Sequence, residues 1–366
     1  MAGRIVVFGA TGYTGRLTAE ALVRRGLRPV LAARNAARLA ELAGDLGGDL
    51  DVAVADVSRP ETVAALVEEG DVLVAAVGPF VKWGGPAAEA AIGAGAHYID
   101  STGEPPFIRE VFERYGPRAA AAGTGMVTAF GYDWVPGNLA GALALRDAGP
   151  TAVRVDTGYF ITGDAGGMSG GTRASLAGVV AAPSFAWRDG GLRSERGAAR
   201  YRTFRMRGKD RPAVAVGSSE HFALPRVQPG LREVNSYLGW FGPLSRPMQA
   251  ASLIGSAEFR VPGVQGLYGA VADRLIKGST GGPDAAERAR SGSHIVGAAY
   301  DASGSLLSEV QLTGVDGYSF TGEILAWGAE QAAAGGLTGA GALGPADGFG
   351  LDELEAGSAT AGIARN

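Results

Sequence analysis

The sequence contains no cysteine. This absence excludes disulfide bonds, thiolate catalysis, iron–sulfur clusters and zinc sites built on cysteine ligands. Histidine is also scarce, because the chain has only His97, His221 and His294, which lie far apart and follow no ligand spacing. A metal site is therefore not expected, and we interpret His221, among strand-like residues, as a packing residue.

A strong excess of charge and long apolar runs are lacking too. The formal net charge is -4 and the sequence pI is about 5.6, so a nucleic-acid partner is not expected. No apolar run approaches the ~18 residues that span a bilayer, and a strand pattern begins at Arg4 without a preceding leader. With 46% hydrophobic residues, the chain is expected to be a folded cytoplasmic protein of about two domains.

The first third of the chain alternates short apolar runs with segments of helical periodicity. Strands are predicted at residues 4–8, 29–33, 51–55, 71–77, 97–99 and 126–130, and helices between them at 16–25, 36–43, 60–67, 86–94 and 106–115. This alternation predicts an α/β fold in which a Rossmann domain carries a doubly wound parallel sheet with right-handed crossovers.

The rest of the sequence is less regular. It contains β-like stretches at 152–160, 213–216, 293–300 and 306–312, a glycine-rich segment from Gly163 to Gly171 before a predicted helix at 172–180, a loop at 277–292, a helix at 317–334 and a connection at 335–350. We predict a Rossmann domain at 1–134, a second mixed α/β domain for substrate or dimerisation at 135–312, and a C-terminal helical segment at 313–366.

The first strand leads into the first helix through the sequence GATGYTG, from Gly9 to Gly15. Gly9 permits a tight turn, Gly12 lets a pyrophosphate approach the backbone, and Gly15 lets helix and strand pack closely. The positive end of the helix dipole favours phosphate at the same place. These features indicate a dinucleotide site, which the intervening residues Thr11, Tyr13 and Thr14 would also line.

The end of the second strand bears on the choice between NAD and NADP. An NAD enzyme usually has a carboxylate there, about 20 residues past the glycine turn, whereas this chain has Arg34. A guanidinium can hold a 2′-phosphate in a bidentate manner, so NADP(H) is predicted; the alternative is that Arg34 is a solvated surface charge. Cofactor contacts are also expected where the third and fourth strands end, at Asp56 and at Gly78, Pro79 and Phe80.

Several motifs resemble those of saccharopine dehydrogenase-like reductases. They are GATGYTG and the runs Gly78–Gly84, His97–Glu104, Gly131–Pro136, Gly166–Thr172 and Gly344–Leu351. The opening is most similar to the branch that contains the trans-acting enoyl reductases of bacterial lipid and polyketide pathways. The resemblance implies an NADP-binding domain, a mixed α/β domain that supplies the substrate cleft, and last helices that pack back onto the first domain. Trp134 and the pair Gly137–Asn138 depart from the family pattern, and these departures put the substrate in doubt more than the cofactor.

Hydride transfer requires a proton source and polar groups near the reacting carbon. Four candidates follow the ends of predicted strands, namely Lys82, Glu104, Tyr132 and Asp133. Lys82 is one of three lysines in the chain and could polarise a carbonyl, or it could be a solvated surface lysine. Glu104 could bind a hydroxyl or an amine, or cap the next helix. Tyr132 could donate a proton, whereas Asp133 could take part in the chemistry or brace a turn.

The combined hypothesis is an NADPH-dependent oxidoreductase that reduces a C=C bond of an enoyl-type substrate, or a C=N bond. The expected substrate is a small molecule, apolar or acyl-linked, and a homodimer is possible for this fold. Two alternatives remain open at this point. One is an amino-acid dehydrogenase of the saccharopine type, and the other is a non-catalytic protein that senses a dinucleotide.

Overall fold

The computed structural model describes residues 3–163, 183–206, 208–258 and 281–366. The predicted helix at 172–180 and most of the glycine-rich segment before it lie outside these residues. The chain divides into two compact units, the first formed by Met1–Gly103, Phe107–Val135 and Val315–Ala364, and the second by Glu104–Pro106, Pro136–Gly314 and Arg365–Asn366.

The strands in the described ranges are β1 (Ile5–Phe8), β2 (Val30–Ala33), β3 (Val52–Val54), β4 (Val72–Ala75), β5 (His97–Asp100), β6 (Gly125–Val127), β7 (Arg154–Gly163), β8 (Pro183–Arg188), β9 (Gly191–Arg196), β10 (Tyr201–Met206), β11 (Lys209–Val216), β12 (Glu233–Leu238), β13 (Ser291–Tyr300), β14 (Leu306–Gly314), β15 (Gly341–Ala342) and β16 (Ile363–Arg365).

The helices in the same ranges are α1 (Tyr13–Arg24), α2 (Ala36–Asp45), α3 (Pro60–Ala64), α4 (Phe80–Trp83), α5 (Gly85–Ala94), α6 (Pro105–Glu110), α7 (Gly116–Ala121), α8 (Val135–Ala148), α9 (Glu220–Val227), α10 (Ser245–Glu258), α11 (Ala285–Ala289), α12 (Gly317–Ala333), α13 (Pro345–Phe349) and α14 (Leu351–Thr360). A π-helical segment (Val111–Tyr115) joins α6 to α7, and a short 3₁₀ turn (Gly242–Leu244) precedes α10.

The first unit contains a parallel sheet whose seven described strands run in the order β15-β6-β5-β4-β1-β2-β3. All its pairings are parallel. Strand order reverses between β1 and β4, as in a doubly wound dinucleotide-binding sheet. Every residue of β1 and β4 is buried, and because side chains alternate between faces, helices must cover both sides. The predicted Rossmann fold is confirmed.

The second unit contains a mixed sheet with the described order β10-β11-β12-β7-β13-β14, to which β8 and β9 add through β12. Strands β12 and β7 pair in parallel, whereas β7–β13, β13–β14 and β10–β11 are antiparallel pairs. Its core includes Phe160, Phe204, Met206, Tyr237 and Val296. This arrangement confirms the predicted mixed α/β character of the second domain.

Two segments differ from the predictions. The connection predicted at 335–350 contains β15 and α13, because Gly341 N–H donates to the carbonyl of Thr124 at 2.8 Å and Leu343 N–H to that of Met126 at 2.9 Å. A two-residue strand is too short to show periodicity. The loop predicted at 277–292 contains α11, which begins with a capping box formed by Asp284 and Glu287.

The described helices include none that is both long and apolar enough to cross a membrane.

Candidate functional site

The turn from β1 into α1 depends on close backbone approach. Gly9 has a φ of +91°, which side chains rarely tolerate, and a Cβ there would lie 2.9 Å from the carbonyl oxygen of Ala76. A Cβ on Gly15 would lie 2.2 Å from the carbonyl oxygen of Gly9. The N–H of Gly9 donates to Ala32 of β2 at 2.8 Å. The turn is therefore held tightly between β1, β2 and the strand end after β4, as a dinucleotide loop requires.

The first turn of α1 suits an anion. Its N-cap is Gly12, which supplies no side-chain acceptor. By contrast, Asn35 caps α2 and Asp316 caps α12 with their own side-chain oxygens. The first N–H groups of a helix need an acceptor from outside the helix, and a phosphate is well suited to that place. The partly exposed residues beside Gly12 are Thr11, Tyr13 and Thr14.

The ends of β2 and β3 bring Arg34 and Asp56 into electrostatic contact. Arg34 is exposed directly after β2. Asp56 accepts hydrogen bonds from the N–H and hydroxyl of Ser58 at 2.9 and 2.8 Å. These bonds, with a smaller effect from the positive charges of Arg34 and Arg59, lower the pKa of Asp56. The Asp56 carboxylate is thus held by its own loop, and the guanidinium of Arg34 is an exposed cation at this edge of the sheet.

The segment after β4 carries the predicted residues Gly78, Pro79, Phe80 and Lys82. Pro79 is the N-cap of α4, and Phe80 is buried with its ring 5.7 Å from that of Phe107. Lys82 is exposed, and its ammonium lies 4.9 Å from the centre of the Trp83 ring. Gly78 and Pro79 therefore lie at the carboxyl edge of the sheet, between the strand and an anchored aromatic ring.

Asp100 fixes the neighbouring strand ends of β5 and β6. It is fully buried and accepts hydrogen bonds from Thr102 N–H at 2.8 Å, Thr128 Oγ1 at 2.7 Å and Ala129 N–H at 2.9 Å. Burial raises its pKa to about 6, although these hydrogen bonds oppose the change. The Asp100 side chain thus holds the backbone that leads to Tyr132 and Asp133.

Tyr132 and Asp133 lie in the first unit after β6. The N–H of Tyr132 donates to Oγ1 of Thr321 in α12 at 3.0 Å, and a Cβ added to Gly317 would lie 2.9 Å from the Tyr132 ring. Asp133 approaches the chain after β5, since a Cβ on Gly103 would lie 3.1 Å from its Oδ2. The fourth candidate, Glu104, is partly exposed, immediately precedes α6 and belongs to the second unit.

The resemblance implied that the last helices pack back onto the first domain, which the structure confirms, but the sequence analysis named no residue of α12 at this edge. The rings of Tyr13 and Tyr318 pack edge-on with centroids 5.2 Å apart, and Thr321 receives the Tyr132 N–H. The Asp316 cap before an apolar helix is a readable start signal. Nothing in the spacing, however, indicates that this helix returns to the first strand.

The second unit holds a buried polar cluster that was also missed. Glu220, the first residue of α9, is fully buried, and the Tyr159 hydroxyl donates to its Oε1 at 2.7 Å. Gly137 N–H donates to the same hydroxyl at 2.8 Å. Burial raises the pKa of Glu220 to about 7, while the bond from Tyr159 opposes the rise. Next to it, burial lowers the pKa of His221 to about 3, and its ring packs edge-on against Phe185.

No group of three or more histidine, aspartate or glutamate side chains suited to a metal ion occurs in the part of the chain that the structure describes.

Comparison with known proteins connects this geometry to a family. Residues 5–127 match the family model of the saccharopine dehydrogenase NADP binding domain. A Mycobacterium tuberculosis protein named as a trans-acting enoyl reductase is 39% identical over 188 residues, 49% of this chain and 45% of that protein. A trans-acting enoyl reductase of Mycobacterium leprae is 39% identical over 140 residues, 37% of this chain and 34% of that protein. The matches thus span less than half the length of these relatives.

A solved structure has a similar fold. Apo saccharopine dehydrogenase (L-Glu forming) from Saccharomyces cerevisiae superposes with a TM-score of 0.60 at 12% identity, covering 100% of this chain and 99% of that one. The resemblance noted in the sequence and the prediction of NADP(H) are confirmed by these matches. Residues 5–127 are an NADP-binding domain similar to that of the saccharopine dehydrogenase family.

Proposed function

We propose that this chain is an NADPH-dependent oxidoreductase that delivers hydride to a C=C bond of an enoyl-type biosynthetic intermediate, with a C=N bond as the alternative acceptor. The observation that carries the proposal is the Gly9–Gly15 turn, which lies where strand order reverses, is fixed by close backbone contacts and has a glycine N-cap without a side-chain acceptor. The names of the enoyl reductase relatives support the C=C acceptor.

In this proposal the bound NADPH supplies the hydride. The protein binds and orients the cofactor and the substrate, and it supplies the proton that the substrate takes up. The turn from Gly9 to Gly15 holds the diphosphate, and Arg34 holds the 2′-phosphate. Tyr132, buried against α12, is the proposed proton donor, and Lys82 polarises the substrate carbonyl. Asp133 and Glu104 are the remaining polar groups proposed for the substrate.

We base the proposed substrate class on the same enoyl reductase relatives. An acyl-linked or otherwise apolar small molecule fits an enoyl reductase. A zwitterionic amino-acid substrate of the saccharopine type would instead require several clustered basic groups. We further propose that the second unit supplies substrate contacts or a dimer surface.

The proposal is tested by following loss of NADPH absorbance with a panel of enoyl thioesters, enones and imines. We expect turnover with an unsaturated acyl substrate, and a Tyr132→Phe variant that binds NADPH as the unchanged protein does but turns over more slowly. Turnover only with an oxo acid and an amino acid would favour the amino-acid dehydrogenase. Tight NADPH binding without turnover of any compound would favour a dinucleotide sensor.

A further inference from the structure

Helices α1 and α12 pack side by side and run in the same direction. Three contacts define this alignment: the rings of Tyr13 and Tyr318, the backbone of Leu17 against Gly322, and the ion pair of Arg25 with Glu330 at 2.9 Å. The two residues of each pair are 305 positions apart in the sequence, so the two helices are parallel and in register. A Cβ on Gly322 would lie 2.9 Å from Leu17 Cβ, which shows how closely they approach. Their first turns therefore lie next to each other.

The first turn of α12 also contacts the chain that leaves β6. Thr321 accepts the N–H of Tyr132 and donates its hydroxyl to the carbonyl of Gly317 at 2.7 Å, and the Tyr132 ring lies over Gly317. This turn therefore contacts both the segment that follows β1 and the segment that follows β6, at the carboxyl edge of the sheet. Ligands of open α/β sheets bind at this edge.

The first turn of α12 presents aromatic side chains to a ligand and does not form an anion site. Oδ1 of Asp316 accepts the N–H groups of Tyr318 and Ser319 at 2.9 and 3.1 Å, so the helix satisfies its own first donors. The carboxylate would also repel a phosphate. The same turn presents the partly exposed phenol of Tyr318, which packs beside that of Tyr13.

The sheet order indicates which half of a dinucleotide meets this surface. Arg34 and Asp56 follow β2 and β3, on the side of β1 that holds the adenosine half in doubly wound sheets. Strands β4 to β6 lie on the other side, and the first turn of α12 contacts the segment after β6. Tyr318 is therefore on the side of the nicotinamide half.

We propose that Tyr318, supported by Tyr13, is a cofactor-binding residue that packs against the nicotinamide half of NADP(H). The inference rests on the proposed function, because it requires the dinucleotide to occupy the Gly9–Gly15 turn. It assigns part of the cofactor site to a helix that follows the second unit in the sequence. An aromatic ring suits this place, because it stacks on planar rings and its hydroxyl can bond a ribose or a carboxamide.

The test compares two ligands by calorimetry, NADPH and 2′,5′-ADP, which lacks the nicotinamide half. We expect Tyr318→Ala to weaken NADPH binding roughly tenfold, the scale of one lost aromatic stacking contact, and to leave 2′,5′-ADP affinity unchanged. Unchanged 2′,5′-ADP affinity also shows that the variant is folded. Tyr318→Phe keeps the ring and should retain most of the NADPH affinity.

The matched control is Tyr201→Ala, which removes a partly exposed tyrosine from β10 of the second unit and should alter neither affinity. If Tyr318→Ala does not fold, Tyr318→Leu retains bulk beside α1 and is expected to lose NADPH affinity in the same way. Equal effects on both ligands, or none on NADPH, would overturn the assignment of Tyr318. Failure of the unchanged, folded protein to bind either ligand would instead refute the proposed function.

Discussion

The glycines of the β1–α1 turn differ in what a side chain would meet. At Gly9 the positive φ and the carbonyl of Ala76 exclude a Cβ, and at Gly15 the carbonyl of Gly9 excludes it. Gly12 has an ordinary φ of -81°, and a Cβ there would lie 3.1 Å from the carbonyl oxygen of Gly9. The protein itself thus constrains Gly12 least, which fits a position kept open for a ligand.

At the same scale, Arg34 provides a test of cofactor choice. We expect Arg34→Asp to weaken NADPH binding far more than NADH binding, because a carboxylate repels the 2′-phosphate that only NADPH carries. One charge-assisted bidentate contact corresponds to a loss of roughly tenfold to a hundredfold. Calorimetry with both nucleotides measures the ratio of the two affinities.

The control for this change is Arg28→Asp. Arg28 is exposed and lies before β2, at the opposite end of the strand, where it pairs with Asp49 at 2.7 Å. The Arg28→Asp substitution should leave the ratio of NADPH affinity to NADH affinity as in the unchanged protein. Equal losses of both nucleotides in Arg34→Asp would mean that Arg34 does not recognise the 2′-phosphate.

Residues were predictable where their chemistry depends on neighbours in sequence. The glycine turn follows directly from a strand-turn-helix pattern, whereas the roles proposed for Arg34 and the other site residues stay predictions. Asp100 and Glu220 were not predictable as buried hydrogen-bond centres, because the side chains that bond them, such as Thr128 and Tyr159, lie 28 or more residues away. Burial of a carboxyl depends on tertiary packing, which periodicity does not report.

At the scale of elements, the close contact between α1 and the turn before it predicts that alanine destabilises the protein at Gly15 but not at an exposed glycine of another helix. We expect Gly15→Ala to destabilise the protein by about 2 kcal/mol and to weaken NADPH binding, because a Cβ 2.2 Å from the Gly9 carbonyl oxygen forces the helix away from the turn. Urea unfolding and calorimetry measure the two effects.

Gly44→Ala in α2 is the matched control. Gly44 is exposed, and an added Cβ would meet nothing within 4 Å. Alanine should stabilise this helix by up to about 1 kcal/mol and leave NADPH affinity as it was. A Gly15→Ala variant that behaves like Gly44→Ala would contradict the tight turn described above.

Elements with regular periodicity were predicted well, and short or locally capped ones were not. Strands β1, β2 and β4 lie within the apolar runs that predicted them. The two residues of β15 join the sheet only through contacts with β6. Helix α11 was missed although Asp284 and Glu287 have capping-box spacing, because five residues give too little apolar periodicity to outweigh the surrounding glycine.

For the whole molecule, Glu220 predicts a pH dependence of stability. Its pKa is raised from 4.5 to about 7 in the folded protein, so the folded state holds a proton that the unfolded chain releases earlier. Glu220 therefore contributes stability that is lost as pH rises from about 4.5 to about 7 and stays absent above that range. The loss is at most about 3 kcal/mol. His221 acts in the opposite direction, because its pKa is lowered from 6.5 to about 3 and only the unfolded chain binds that proton between these pH values.

Glu220→Gln isolates this effect, because an amide oxygen can still accept the Tyr159 hydroxyl but cannot titrate. Urea unfolding of both proteins from about pH 5 to about pH 8 should show the variant gaining stability relative to the unchanged protein as pH rises. Glu41→Gln, on the exposed face of α2, should follow the unchanged protein. Parallel curves for Glu220→Gln and the unchanged protein would refute a proton held at Glu220.

The first compact unit is discontinuous, since Val315–Ala364 completes a body that begins at Met1. A fragment ending near residue 135 would expose the side of α1 that α12 covers and would lack β15 beside β6. Expression of the nucleotide-binding body alone therefore calls for a fusion that tethers residues 315–364 to residues 1–135 by a short linker. In the intact polypeptide, docking of α12 must await synthesis of everything in between.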